Sequence, residues 1–308
     1  MTTSFPATTE EPMAGLLQVA VRAEGLEKSF GAARALAGAT FEVARGEVFG
    51  LAGPNGAGKT TLLKVLASLC RPDAGWAEVG GANVATDAAY VRRLVGYMPE
   101  HFGVYDSMTA SEYLSFYASC YRLPRQATER TVSDLLALVG LIPKHDTTVG
   151  GLSRGMRQRL CLARALVHDP EVLLLDEPAS GLDPRARADL LELVAALGEM
   201  GKTVVLASQI LAELAEVCTS FGILHKGAMA AYGTAEELLA PGADLKGLFL
   251  SLTETASDEK ADEEDLAKDL TGEPGECALE HAGQAQGRRD LQQDLQDDNR
   301  GEQRWRRQ

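Results

Sequence analysis

Gly53, Pro54, Asn55, Gly56, Ala57, Gly58, Lys59 and Thr60 run in order as a glycine, four residues, a second glycine, a lysine and a hydroxyl residue. That spacing is the pattern of a loop that wraps phosphate groups. Its glycines let successive amides turn inward, the helix that follows presents its positive end, and Lys59 places a point charge at the β- and γ-phosphates. Thr60 offers a hydroxyl to Mg²⁺, and Thr61 carries the loop into the helix. The flanks agree with this reading. Val48 to Ala52 reads as a buried strand, and apolar residues at Leu62, Leu63, Val65, Leu66 and Leu69 predict a helix over 60–69 with one face on a sheet.

A second buried strand, Glu171 to Leu175, leads into Asp176, Glu177 and Pro178. It delivers two carboxylates where phosphate-binding sheets expose their carboxyl edge. Asp176 suits Mg²⁺, through a water ligand, and Glu177 suits polarisation of the water that attacks the γ-phosphate. A plain acidic helix cap is the competing reading for this pair. Asp183 before Pro184 can provide that cap without Asp176.

The wider pattern sets the fold class. Helices over 155–167 and 184–200 precede the strands at 171–175 and 202–207, which predicts a mostly parallel sheet covered on both faces, a P-loop α/β fold. Val19 to Val48 reads as short strands and turns, an N-terminal antiparallel β part. Strands vanish between about 101 and 169, where Tyr113 to Tyr121 and Thr131 to Val139 look helical. This stretch is expected to form an inserted helical subdomain.

Residues 1–16 read as a disordered leader and 17–252 as the ATPase domain. Residues 253–308 hold 16 Asp and Glu against 8 Lys and Arg, and read as an acidic, disordered tail.

Composition narrows the function. A formal charge of −14 over 308 residues argues against nucleic acid, whose phosphates call for Lys and Arg. The five cysteines are scattered, with no metal or redox spacing, and the N-terminus lacks a signal pattern; a reducing cytoplasm is expected. No run approaches the roughly 18 apolar residues of a spanning helix, so work at a membrane needs a partner that spans it.

With both phosphate elements placed, Gly151, Leu152, Ser153, Arg154, Gly155, Met156, Arg157, Gln158 and Arg159 resemble the signature segment of the ABC ATPases. The resemblance covers about 17–239. It implies an ATP-binding and ATP-hydrolysing subunit with ATP and Mg²⁺ as ligands. It further implies dimerisation with a second nucleotide-binding subunit, a transmembrane permease partner, and a peripheral place at the cytoplasmic face of the membrane. Ser153 and Gly155 then map onto contacts with the γ-phosphate held by the other subunit. Ser180 to Asp183 looks like the family's dimer-interface loop, and Phe30 like the aromatic that stacks on adenine. A coupling helix of the permease would dock near Phe102 and Tyr105, in the aromatic stretch from Glu100 to Tyr113.

Four positions depart from the family pattern. Glu100, after Tyr97, Met98 and Pro99, stands where glutamine is usual; its carboxylate can still reach Mg²⁺. Arg154 and Met156 replace the usual Gly and Gln, which resembles the bacterial ABC-2-type exporter group. Gln209 stands where a switch histidine is usual. Replacing a charged donor by a neutral one costs about 1 kcal/mol, under tenfold in rate. A lost proton-transfer role costs roughly 10²-fold. Two other functions therefore stay open: an ATP-binding regulatory or assembly subunit with little hydrolysis, and a soluble ABC ATPase of translation or DNA repair. A single phosphate loop and the acidic charge speak against the last.

Overall fold

The computed structural model describes residues 19–101, 103, 105–238 and 245–254. The expected leader, Leu17, Phe102, Cys277 and nearly all of the acidic tail lie outside the described residues. The chain begins with β1 (Val19–Phe30), β2 (Ala33–Ala44), β3 (Val48–Ala52), α1 (Lys59–Leu66), β4 (Ala74–Val79), β5 (Ala82–Asn83), α2 (Ala88–Leu94) and β6 (Val95–Met98). Three helices follow: α3 (Ala110–Cys120), α4 (Arg125–Leu138) and α5 (Arg154–Leu166). The chain continues with β7 (Val172–Asp176), α6 (Pro184–Glu199), β8 (Thr203–Ser208), α7 (Leu211–Val217), β9 (Ser220–His225), β10 (Ala228–Thr234), α8 (Ala235–Leu238) and α9 (Leu245–Glu254).

Two sheets result. One is antiparallel in the order β2-β1-β4-β5; the other runs β10-β9-β3-β8-β7-β6, with β9, β3, β8, β7 and β6 parallel and β10 antiparallel at the edge. Strands β3, β7 and β8 are buried along their whole length, which is why they read as unbroken apolar runs. Their two faces feed different cores. Val172 and Leu174 join the cluster under the antiparallel sheet, where Phe41 stacks on Phe49 with centroids 5.6 Å apart. Leu173 and Leu175 join the cluster under the helical layer with Tyr113, Leu136 and Leu162. Burying each of these leucines contributes roughly 1.5–3 kcal/mol.

Parallel register aligns the strand ends. Ala52 pairs with Ser208, and Asp176 with Ala207, so Gly53, Glu177 and Gln209 all leave the sheet at one edge. The helical layer is entered through a capping box: Thr109 Oγ1 accepts the Glu112 amide at 3.2 Å while Glu112 Oε2 accepts the Thr109 amide at 2.8 Å.

Several expectations need correction. The short strands expected over 19–48 are two strands of 12 residues each, paired with register shifts at 23–26 and 26–27 that break the alternation a sequence pattern relies on. The sequence pattern gives no element at Val95–Met98, which is a sheet strand; four residues before a proline are too few to show a period. The tail boundary at 252 falls inside a helix, because Leu248, Phe249 and Leu252 pack on the core. Helix and strand limits elsewhere shift by up to three residues, with α1 ending at Leu66 and α3 beginning at Ala110, except that α4 begins at Arg125 where the sequence pattern predicts a helix from Thr131.

Candidate functional site

The phosphate-type loop closes on itself and on its neighbours. Ala57 N donates to Pro54 O at 3.2 Å, and Gly227 N donates to Ala57 O at 3.0 Å. Gly58 sits at φ +104°, and a Cβ there would run into the Ala35 carbonyl oxygen, so the second glycine of the motif answers to both conformation and space. Asn55 and Gly56 are exposed at the loop's tip.

Lys59 turns inward and is 6% exposed. Its Nζ donates to Gly53 O at 2.7 Å and Pro54 O at 3.2 Å, and lies 3.3 Å from Glu177 Oε1. Thr60 Oγ1 donates to Asp176 Oδ1 at 3.2 Å, although the two are 116 residues apart. Asp176 Oδ2 is buried and makes no hydrogen bond. Glu177 follows at φ +47°, a conformation that strains a side-chain-bearing residue and is tolerated where function fixes a carboxylate. Its amide donates to Ala207 O at 3.0 Å, which hangs it from the end of β8.

Electrostatics follow from this burial. The Asp176 carboxyl is pushed up from 3.8, mainly by burial, against the Thr60 hydrogen bond. Glu177 is pushed up from 4.5, again mainly by burial, against the Lys59 charge. The negative charge of Glu100 adds to both shifts, which places its field on the pair although Glu100 itself is exposed. Tyr97 is pushed upward by burial and then by Asp176.

These residues fit a magnesium–nucleotide ligand. Among the described residues no group of three or more His, Cys, Asp or Glu could cage a metal. Two carboxylates and a hydroxyl are instead what Mg²⁺ uses when phosphates and waters complete its octahedron. The free Asp176 Oδ2 and the cradle at Gly58 are consistent with that.

Other expected residues are placed as follows. Ser153 caps α5, its Oγ accepting the Met156 amide at 3.3 Å, with Gly155 in the first turn. Arg154 Nη2 donates to Ser180 O at 2.9 Å, and its guanidinium lies over Gly181, a contact that sequence reading missed. Asp183 caps α6 through the amides of Arg185 and Ala186, so that capping work does not fall to Asp176. Phe30 is 52% exposed at the end of β1, with Lys28 Nζ 5.5 Å from its ring centroid. Gln209 is exposed just beyond β8. Tyr105 is 43% exposed and packs edge-on to Phe116, whereas Tyr113 is fully buried. A cleft of about 200 Å³ is lined by Arg92, Tyr97, Tyr117, Tyr121 and Arg164 among others.

Residues 36–180 match the ABC transporter domain family. The daunorubicin resistance ATP-binding protein DrrA3 of Streptomyces coeruleorubidus is 40% identical over 225 residues, 73% of this chain and 71% of that protein. The chain belongs to the ABC transporter ATP-binding family.

Further relatives of this ABC subunit include the linearmycin resistance ATP-binding protein LnrL of Bacillus subtilis (strain 168), 35% identical over 71% of this chain and 70% of that one. The Nod factor export ATP-binding protein I of Ralstonia nicotianae is 38% identical over 70% of this chain and 67% of its own length. Among solved structures, an ATP-binding subunit of an ABC transporter superposes with a TM-score of 0.68 at 33% identity, covering 75% of this chain and 98% of that one. The ABC cassette therefore accounts for the P-loop fold and for ATP as ligand. Among the described residues, no helix of this ABC subunit is long and apolar enough to cross a membrane.

Proposed function

We propose that this ABC subunit is an ATP-hydrolysing motor that pairs with a second nucleotide-binding subunit and drives a separate transmembrane permease in export. The observation that carries the hydrolytic part is the convergence of Lys59 and Thr60 with Glu177 and Asp176 at one sheet edge. Lys59 and the loop amides bind and orient the phosphates. Mg²⁺, when bound, supplies charge neutralisation at the β- and γ-phosphates, with Thr60, Asp176 and Glu100 as its protein-side partners. Glu177 accepts a proton from the attacking water, and Gln209 donates a neutral hydrogen bond toward the γ-phosphate. Ser153 and Gly155 serve the partner subunit's nucleotide, and Phe30 stacks on the base.

The names of the relatives, two of them resistance proteins and one an export protein, support export. The exposed Tyr105 supports a docking face for the permease at the cytoplasmic side of the membrane.

A second reading is kept alive by Gln209: a subunit that binds ATP and gates a partner with little turnover. The deciding experiment measures Mg·ATP binding and hydrolysis for the parent and for Gln209→His. Hydrolysis by the parent, with a gain of less than about tenfold in the variant, supports the motor. Equal binding with turnover confined to the variant would replace the motor by the gating subunit.

A further inference from the structure

A buried relay joins the 180–183 loop to the segment around Gln209. Glu213 stands in the first turn of α7 and is 5% exposed. Its Oε2 accepts the Ser208 hydroxyl at 2.7 Å, and Ser208 Oγ in turn accepts the Ile210 amide at 3.0 Å. Gln209 is therefore flanked by two residues tied to one hydroxyl.

The other carboxylate oxygen, Oε1, lies 3.0 Å from Arg187 Nε on α6. Neither of these two atoms makes a hydrogen bond, so the contact is an ion pair. Arg187 Nη2 also donates to Leu182 O at 3.4 Å, inside the loop between Ser180 and Asp183. Taking away the cation would leave a buried carboxylate unpaired. The least costly relief is for Glu213 to turn toward solvent, releasing the Ser208 hydroxyl and with it the backbone on both sides of Gln209.

We propose that Arg187 is a positioning residue which, through Glu213 and Ser208, sets the backbone of Gln209 and ties it to the 180–183 loop. The proposal rests on the reading that Gln209 serves the γ-phosphate. A shift of that loop would pass through one ion pair and two hydrogen bonds to Gln209. Glu177 hangs from Ala207, one residue before Ser208, so the same strand end carries both groups.

The test compares the full chain with Arg187→Met, Arg187→Lys and Glu213→Ala. Amide hydrogen exchange, read without nucleotide, is expected to rise about tenfold in the 208–213 segment of Arg187→Met while β3 and β7 keep their protection. Arg187→Lys should restore most of it. In ATP hydrolysis, Arg187→Met should lower kcat about tenfold with KM little changed. In a Gln209→Ala background the same change should add less than about twofold, because the two act as a unit.

Unaltered exchange at 208–213, or the full loss of kcat in the Gln209→Ala background, would overturn the proposal. A parent chain that binds ATP without turning it over would instead sink the hydrolytic reading, and the exchange arm would still decide the positioning role. If Arg187→Met does not fold, Glu213→Ala, which removes the ion pair and the Ser208 contact together, carries the same comparisons.

Discussion

The ammonium of Lys59 lies 3.3 Å from the carboxylate of Glu177, with both side chains almost fully buried at 6% and 9% exposure. One residue opens the helix after the phosphate loop and the other follows β7, which β8 separates from β3, so the sheet's register rather than chain proximity makes the pair. On the proposed function, Lys59 would offer its charge to phosphate oxygens from a position already shared with the carboxylate proposed as the base.

Lys59→Ala should weaken Mg·ATP binding at least about 100-fold, near 2.7 kcal/mol. Titration calorimetry or a fluorescent ATP analogue would read it. Parental affinity in a folded Lys59→Ala protein would remove Lys59 from the phosphate site.

Glu177→Gln should lower hydrolysis by roughly 10²-fold or more. It should also stabilise the chain. Burial raises the Glu177 pKa in the folded state, so the folded chain holds its proton more tightly than the unfolded one. That contribution is full at low pH and is lost as pH rises through the ordinary value and then the raised one, leaving a cost at neutral pH. The amide removes the charge whose burial is costly, and Tm should rise at pH 7. A fall in Tm would mean that the Lys59 contact outweighs burial.

The pH profile gives an independent check on the same group. If Glu177 is the base, turnover needs it unprotonated, and kcat should fall as pH drops through a midpoint above 4.5, the ordinary glutamic acid value. The small residual rate of Glu177→Gln should not show that limb. An acid limb of equal size in the variant would assign it to another group.

Gly58→Ala should destabilise by about 2 kcal/mol, because the new methyl meets the Ala35 carbonyl and φ stays near +104°. Gly56→Ala, at φ +77° with nothing within 4 Å, should cost about 1 kcal/mol from backbone strain alone. Urea unfolding of the two variants side by side measures the difference, and equal losses would refute the steric part.

The amino-acid sequence by itself determined the phosphate loop from Gly53 to Thr60, the acidic strand end at Asp176 and Glu177, and the cap at Asp183. Each is a contiguous pattern whose chemistry depends on neighbours along the chain, and buried parallel strands announce themselves as apolar runs. The long β1–β2 hairpin was obscured because its register shifts break the two-residue alternation. Strand β6 and the helix over 245–254 were missed because both get their stability from long-range packing rather than from local propensity.

Tertiary structure decided the rest. Register between β3, β8 and β7 brings Thr60 to Asp176 and Lys59 to Glu177, burial raises both carboxylate pKa values, and a close approach of α6 and α7 joins Arg187 to Glu213. A lone glutamate in a seven-residue helix or an arginine past a helix cap carries no signal of its partner in one sequence. Those pairings are made by folding, because strand register and helix packing choose which distant residues share a low-dielectric interior.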